Sequence, residues 1–90
     1  KFYKISADRG DPDAQLSYAN LIAPTDIEQA AKYSKLSADQ GNSKAQCLYG
    51  QLLFVGRGVT LDKQLAKKYI QMSAEQGYER AVRLMKELQF

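Results

Sequence analysis

The chain has 90 residues, with 13 Lys and Arg against 10 Asp and Glu for a net charge of +3, and it contains no His. That length allows at most one domain, and a globule of this size would bury only about 60 to 65 % of its unfolded surface. Without His there is no commonest general base, no commonest metal ligand and no usual partner for a nucleophilic Ser or Cys, so catalysis, a metal site and a cofactor are not expected; the lone Cys47 excludes an intrachain disulfide and suits a reducing compartment.

Residues 1 to 8 carry Phe2, Tyr3 and Ile5, then the small pair Ser6-Ala7 before Gly10, which reads as a helix tail closed by a left-handed cap. Asp11-Pro12 predicts a helix start, because the carboxylate accepts from orphan backbone N–H groups and proline at the first position loses nothing by lacking its own. A helix over 12–23 follows, with Ala14, Tyr18, Leu21 and Ile22 at helical spacing and Ala19 keeping one side small. Pro24 stops it. Asp26, with Gln29 three residues on, opens a helix over 26–39 whose inward stripe is Ile27, Ala30, Tyr33 and Ser37. Gly41 ends that helix, and Asn42 caps another that runs to about residue 54 with Ala45, Tyr49, Gly50, Leu52 and Leu53 on its inner side. Val55 to Val59 form a loop, Asp62 caps a helix with Leu65, Ala66, Tyr69, Ile70 and Ser73 inward, and 79–90 is a last helix carrying Ala81, Met85 and Leu88.

One stretch recurs. Ser37-Ala38-Asp39-Gln40-Gly41 returns as Ser6-Ala7-Asp8-Arg9-Gly10 and as Ser73-Ala74-Glu75-Gln76-Gly77, each with an aromatic four residues before its Ser (Phe2, Tyr33, Tyr69) and an Ala four residues after its Gly (Ala14, Ala45, Ala81). The glycines lie 31 and 36 residues apart, and the difference of five equals the span Val55 to Val59, so the period varies only in the loop between helices. The expectation is a single array over 1–90: a half repeat 1–10, repeats 11–41 and 42–77, and a half repeat 78–90, in which no helix pair buries its apolar side alone. Because the chain opens without Met and inside a repeat, it reads as part of a longer protein; Lys1-Phe2-Tyr3-Lys4 is no signal peptide.

These motifs resemble the Sel1-like repeat, a cousin of the tetratricopeptide repeat. The best copy is 45–78, where Ala45, Gly50, Gly56, Gly58, Val59, Asp62, Ala66, Ala74, Gln76 and Gly77 stand where the family's pattern puts them. Departures are visible too. The first repeat has Pro24 in place of the Gly-x-Gly-Val loop, Ser6, Ser37 and Ser73 replace the first Ala of an Ala-Ala pair, and Lys86 stands at the small-residue position of Ala19 and Gly50, which marks the last helix as an end cap or an eroded copy. The resemblance implies an all-α, right-handed superhelical solenoid of antiparallel helix pairs and a role as a non-catalytic scaffold or adaptor for a protein or peptide partner.

In such arrays the first helix of each pair lines the concave side. The partner surface is therefore expected on Asp13, Leu16, Ser17 and Asn20, on Lys44, Cys47, Leu48 and Gln51, and on Arg80, Arg83 and Glu87. Its lysine and arginines favour a segment with apolar anchors and acidic flanks. Charges of both signs are interspersed elsewhere, unlike the basic stripe of a nucleic-acid binder, and no apolar run approaches the roughly 18 residues of a membrane span.

Other candidates have bland readings. Gly56-Arg57-Gly58 lacks the further glycines or the Lys-Ser/Thr pair of a phosphate cradle and reads as an interhelical loop with Val59 tucked in. Cys47 reads as a helix-surface or half-buried thiol, Tyr18, Tyr33, Tyr49 and Tyr69 as packing residues with Tyr3 and Tyr78 left open, and the lysines at 4, 32, 35, 63, 67 and 68 as a solvated outer face. Ile5, Leu36 and Met72 share one register and read either as a widened core stripe or as an outer contact ridge; the ridge supports a homo-oligomerisation module as the alternative function.

Overall fold

The computed structural model describes residues 2–88, with the side chains of Phe2, Tyr3 and Ser6 outside that description together with positions 89 and 90 of the last predicted helix. Six helices form among the described residues: α1 (Phe2–Asp8), α2 (Pro12–Ile22), α3 (Ile27–Asp39), α4 (Ser43–Val55), α5 (Lys63–Glu75) and α6 (Glu79–Glu87). Each packs chiefly on its neighbours in sequence, giving an all-α solenoid that measures 38 × 24 × 16 Å.

Four helix starts are fixed by side chains named from the sequence. Asp11 accepts from the backbone N–H groups of Asp13 and Ala14 at 3.0 and 3.3 Å, and Asp26 from that of Gln29 at 3.1 Å. Asn42 accepts from Ala45 and Asp62 from Leu65, each at 3.0 Å. These bonds satisfy donors that have no intrahelical partner. At the other end of α3, Gly41 has φ +96°, its N–H bonds Ala38 O at 3.0 Å, and the N–H of Asn42 reaches Ser37 O at 3.3 Å. That pair of bonds is a Schellman motif, and α5 repeats it at Gly77 and Tyr78.

The loops explain the two repeat lengths. After α2 the chain turns through Ala23 to Asp26, with the Thr25 and Asp26 N–H groups both on Ile22 O at 3.0 and 2.7 Å. After α4, Gly56 and Gly58 take φ +74° and +73°, and Val59 packs on the central core. A Cβ at Gly58 would stand 2.6 Å from Ile27 O, so this loop seats directly against the start of α3.

The core is divided along the array. Ala7, Ala14, Ala19, Ala30 and Tyr33 form one cluster; Ala38, Ala45, Tyr49, Leu53, Ala66 and Tyr69 form a second; Cys47, Ile70 and Ala81 form a third. Small residues at the helix crossings bring backbones close. At Gly50 an added Cβ would come within 2.5 Å of Ile70 Cγ1, whereas the first repeat uses Ala19 with Ser34 at the same two positions, a trade of volume across one interface.

Between the clusters runs a polar lattice that repeats with the array. The Ser37 hydroxyl donates to Pro12 O and the Ser73 hydroxyl to Ser43 O, both at 2.6 Å. Buried Gln15 donates to Ala7 O at 3.1 Å and accepts from Gln40 Nε2 at 2.7 Å; buried Gln46 donates to Ala38 O at 3.2 Å and accepts from Gln76 Nε2 at 2.9 Å. No buried side-chain polar atom among the described residues lacks a partner. The serines therefore do more than stay small, and Gln15 and Gln46 belong to the interior although no pattern in the sequence reads them so.

Ile5, Leu36 and Met72 are 54, 50 and 36 % exposed, so the widened-stripe reading is wrong and they form an outward row. The reason is geometric: their helices already bury a full stripe through Ala38, Tyr33, Ala66 and Tyr69, and the next position in register points away from it.

Candidate polypeptide-binding groove

The first helices of the pairs, α2, α4 and α6, share a recess of about 270 Å³. Leu16 and Asn20 enter it from α2, Lys44, Cys47, Leu48 and Gln51 from α4, and Arg80 from the first turn of α6, joined by Tyr78 just ahead of that helix. An adjoining recess of about 260 Å³ shares Leu16 and Lys44 and adds Asp13, Ser17, Asn42 and Ser43. Nine of the eleven residues expected on the concave side thus line two continuous hollows.

Arg83 and Glu87 are exposed but line neither. Register alone does not separate them, because Leu16 and Cys47 share the register of Arg83, and Asn20 and Gln51 that of Glu87, yet all four line the hollow; on α2 and α4 the row of Leu16 and Cys47 also packs toward the following repeat. Leu16 accordingly leans on the central core, and Cys47 is packed with Ile70 and Ala81 and is only 1 % exposed. The expectation of a surface or half-buried thiol, and of Cys47 as a contact residue, is corrected: its sulfur belongs to the floor beneath the groove. Burial pushes the thiol pKa up, against the opposing pull of the Arg80 charge, so it is an inert core group.

Charge is distributed unevenly over this surface. Asp13, Lys44 and Arg80 occupy one register on α2, α4 and α6. Asp13 Oδ1 is held by Asn42 Nδ2 at 2.9 Å. Lys44 and Arg80 take part in no ion pair and no side-chain hydrogen bond among the described residues, where the ion pairs are Lys4–Asp8 and Lys35–Asp39 on the second helices. Two unpaired cations thus border an apolar floor made by Leu16, Leu48 and Tyr78. Tyr78 was not singled out for this surface from the sequence; its position one residue past the cap Gly77 is the signal that would have placed it.

Larger recesses exist on the outer side. One of about 440 Å³ is lined wholly by residues 62–71, the flank of a single helix with no opposing wall. Another, of about 470 Å³, lies between α3 and the Gly58–Val59 loop and mixes Asp26 and Glu28 with Lys32 and Lys35, the last already paired with Asp39. The first draws on one helix and its cap, and the second joins two repeats through Tyr49, Gly58 and Val59, whereas the inner groove takes side chains from α2, α4 and α6.

Four of the tyrosines are structural. Tyr33 and Tyr69 are buried, edge-on to Tyr18 and Tyr49 with centroids 4.9 Å apart in both pairs. Their hydroxyls donate to Asp8 Oδ1 and Asp39 Oδ1, each at 2.7 Å. Among the described residues no group of three or more Cys, Asp and Glu is placed to hold a metal ion, and no helix is long and apolar enough to cross a membrane.

Comparison with known proteins bears on the whole arrangement. The profile of the Sel1 repeat matches residues 13–42 and 43–78. A crystal structure of a Sel1 repeat protein from Oxalobacter formigenes is 30 % identical, with a TM-score of 0.91 over 96 % of this chain and 26 % of that one. The crystal structure of a protective antigen present in uropathogenic Escherichia coli strains, displaying an SLR fold, is 31 % identical, with a TM-score of 0.84 over 88 % of this chain and 18 % of that one. This chain therefore spans about a quarter or less of the length of those proteins. Among curated proteins no match was found. Repeats of this type generally serve as scaffolds for protein–protein interaction and are typically non-catalytic. Two consecutive profile matches, six helices in the expected order and caps at the expected residues lead to one assignment: the chain belongs to the Sel1 repeat family.

Proposed function

We propose that this chain, read as one array over 1–90 with half repeats at 1–10 and 78–90, is a non-catalytic interaction module that seats a polypeptide partner in the groove formed by α2, α4 and α6. The observation that carries the reading is the groove itself: three helices from different repeats contribute to one hollow, with an apolar floor and unpaired cations at its edge. A polypeptide laid across successive repeats uses such a surface fully, whereas a small molecule would use a fraction of it. Leu48→Glu, which places a charge on the floor, should abolish capture of the native partner, while Leu36→Glu on the outer row should leave capture intact. Circular dichroism checks that both variants remain helical. Loss of capture on Leu36→Glu alone would move the working surface to the convex side.

The outer row of Ile5, Leu36 and Met72 supports a second reading, self-association through the convex face, because three exposed apolar side chains recur at one register. Sedimentation equilibrium separates the two: a monomer whose mass is unchanged by Leu36→Glu removes the oligomer reading.

A further inference from the structure

The groove described above is asymmetric in charge, and that asymmetry selects among polypeptides. Along the row Asp13, Lys44, Arg80 the sign runs negative, positive, positive, so the α4–α6 end carries two cations and the α2 end a carboxylate. Asp13 is engaged by Asn42, and neither Lys44 nor Arg80 has an internal counter-charge among the described residues. Both nevertheless border one recess, whose lining also includes Leu16, Leu48 and Tyr78. Arg80 and Lys44 are both exposed, and both line the recess that has Cys47 in its floor.

Resting on the concave reading, we propose that the groove is specific for an acidic, apolar-anchored peptide segment: one large aliphatic or aromatic side chain on Leu16, Leu48 and Tyr78, and an Asp or Glu carboxylate beside it between Lys44 and Arg80. The chemistry is directional. Two cations bordering one recess favour an anion there over a cation, because a positive side chain would meet like charge from both. The apolar floor supplies affinity and the paired cations supply choice. A segment of the opposite order, with its basic residue at the α6 end, is rejected by the same groups.

The test is selection of a phage-displayed random 12-residue peptide library on the immobilised 90-residue chain, followed by fluorescence anisotropy of the enriched peptides against wild type, Lys44→Glu/Arg80→Glu and Leu48→Glu. Enriched peptides should carry Asp or Glu next to Leu, Ile, Phe or Met. Their affinity should fall at least tenfold in the double charge reversal and should fall equally in Leu48→Glu, with helicity unchanged in both. Enriched peptides that lack acidic residues, or that bind the charge reversal as well as wild type while losing Leu48→Glu, would overturn the acidic specificity and leave the concave groove standing. Enrichment of no peptide, or of peptides indifferent to Leu48→Glu, would overturn the concave reading with it. A fluorescein-labelled 20-nucleotide single strand serves as the competing anion; if it binds the groove more tightly than the enriched peptides and loses binding in the charge reversal, the cations serve nucleic acid and the proposal fails.

Discussion

Gly41 is glycine for its backbone alone. Its φ is +96°, yet nothing lies within 4 Å of where a Cβ would stand, so a substitution there meets no neighbour and feels only the left-handed conformation. Gly41→Ala should therefore cost about 1 kcal/mol and lower the melting temperature by several degrees, readable by thermal circular dichroism. An unchanged melting temperature would remove the cap from the account. This position was legible in the sequence because the same residue recurs at all three helix ends. Gly50 was legible only as a small residue. Its reason, Ile70 Cγ1 at 2.5 Å, depends on which residue faces it 20 positions later, and a trade of Ala19 and Ser34 for Gly50 and Ile70 leaves no mark at either site alone.

At the scale of the element, the second helix of each pair is tied to the one before it by a tyrosine, an aspartate and a lysine. Tyr69 donates to Asp39, whose other oxygen accepts from Lys35 at 2.8 Å, and Tyr33, Asp8 and Lys4 repeat the arrangement. Burial alone would raise the Asp39 pKa, but the hydrogen bonds from Lys35 and Tyr69 and the Lys35 charge outweigh it, so the carboxyl lies below its ordinary range. Asp8 is lowered by the Tyr33 hydroxyl and then by Lys4. A depressed folded-state pKa contributes stability that is present above the ordinary carboxylate range and is lost as pH falls through the folded value. Lys35 and Tyr69 are raised, Lys35 by its bond to Asp39 and Tyr69 by burial and then by that carboxylate, so their contributions are present below their ordinary ranges and are lost as pH rises.

Two variants test this tie. Tyr69→Phe removes one hydrogen bond to a half-exposed carboxylate and should cost about 1 kcal/mol in urea unfolding, whereas Tyr69→Ala also opens a cavity and should cost on the order of 3 kcal/mol. Asp39→Asn should cost no more than about 1 kcal/mol at neutral pH, given the solvent screening, and the difference from wild type should shrink below about pH 4 and vanish near pH 2. A difference that persists at low pH would mean the side chain matters for packing and not for charge. The tyrosines were legible as core residues from their register. Their acceptors were not, because each lies 25 or 30 residues away on a helix whose own pattern marks Asp8 and Asp39 merely as polar positions.

For the molecule as a whole, stability is a sum of local terms. The three apolar clusters are separate, and α6 has nine residues, too few to hold a helix without its neighbours. Ala81→Asp, which puts a charge into the third cluster, should therefore release α6 while α2 and α3 keep their amide protection, as read by hydrogen exchange resolved by residue. Uniform loss of protection along the chain would show instead that the array folds as one unit. Solenoid order, caps and loop lengths were all legible from the repeat. The groove was legible only in part, since register named the positions that line the hollow on α2 and α4 but could not show that Cys47 is buried in its floor or that Arg83 and Glu87, their counterparts on α6, stay outside it. That distinction depends on how one repeat leans on the next, a rotation no single helix encodes.

The most direct test of the concave assignment is photocrosslinking with p-benzoylphenylalanine placed at Gln51, inside the groove, and at Leu36, on the outer row. In the presence of the native partner the account predicts an adduct from position 51 and none from position 36. An adduct from position 36 with none from 51 would contradict it.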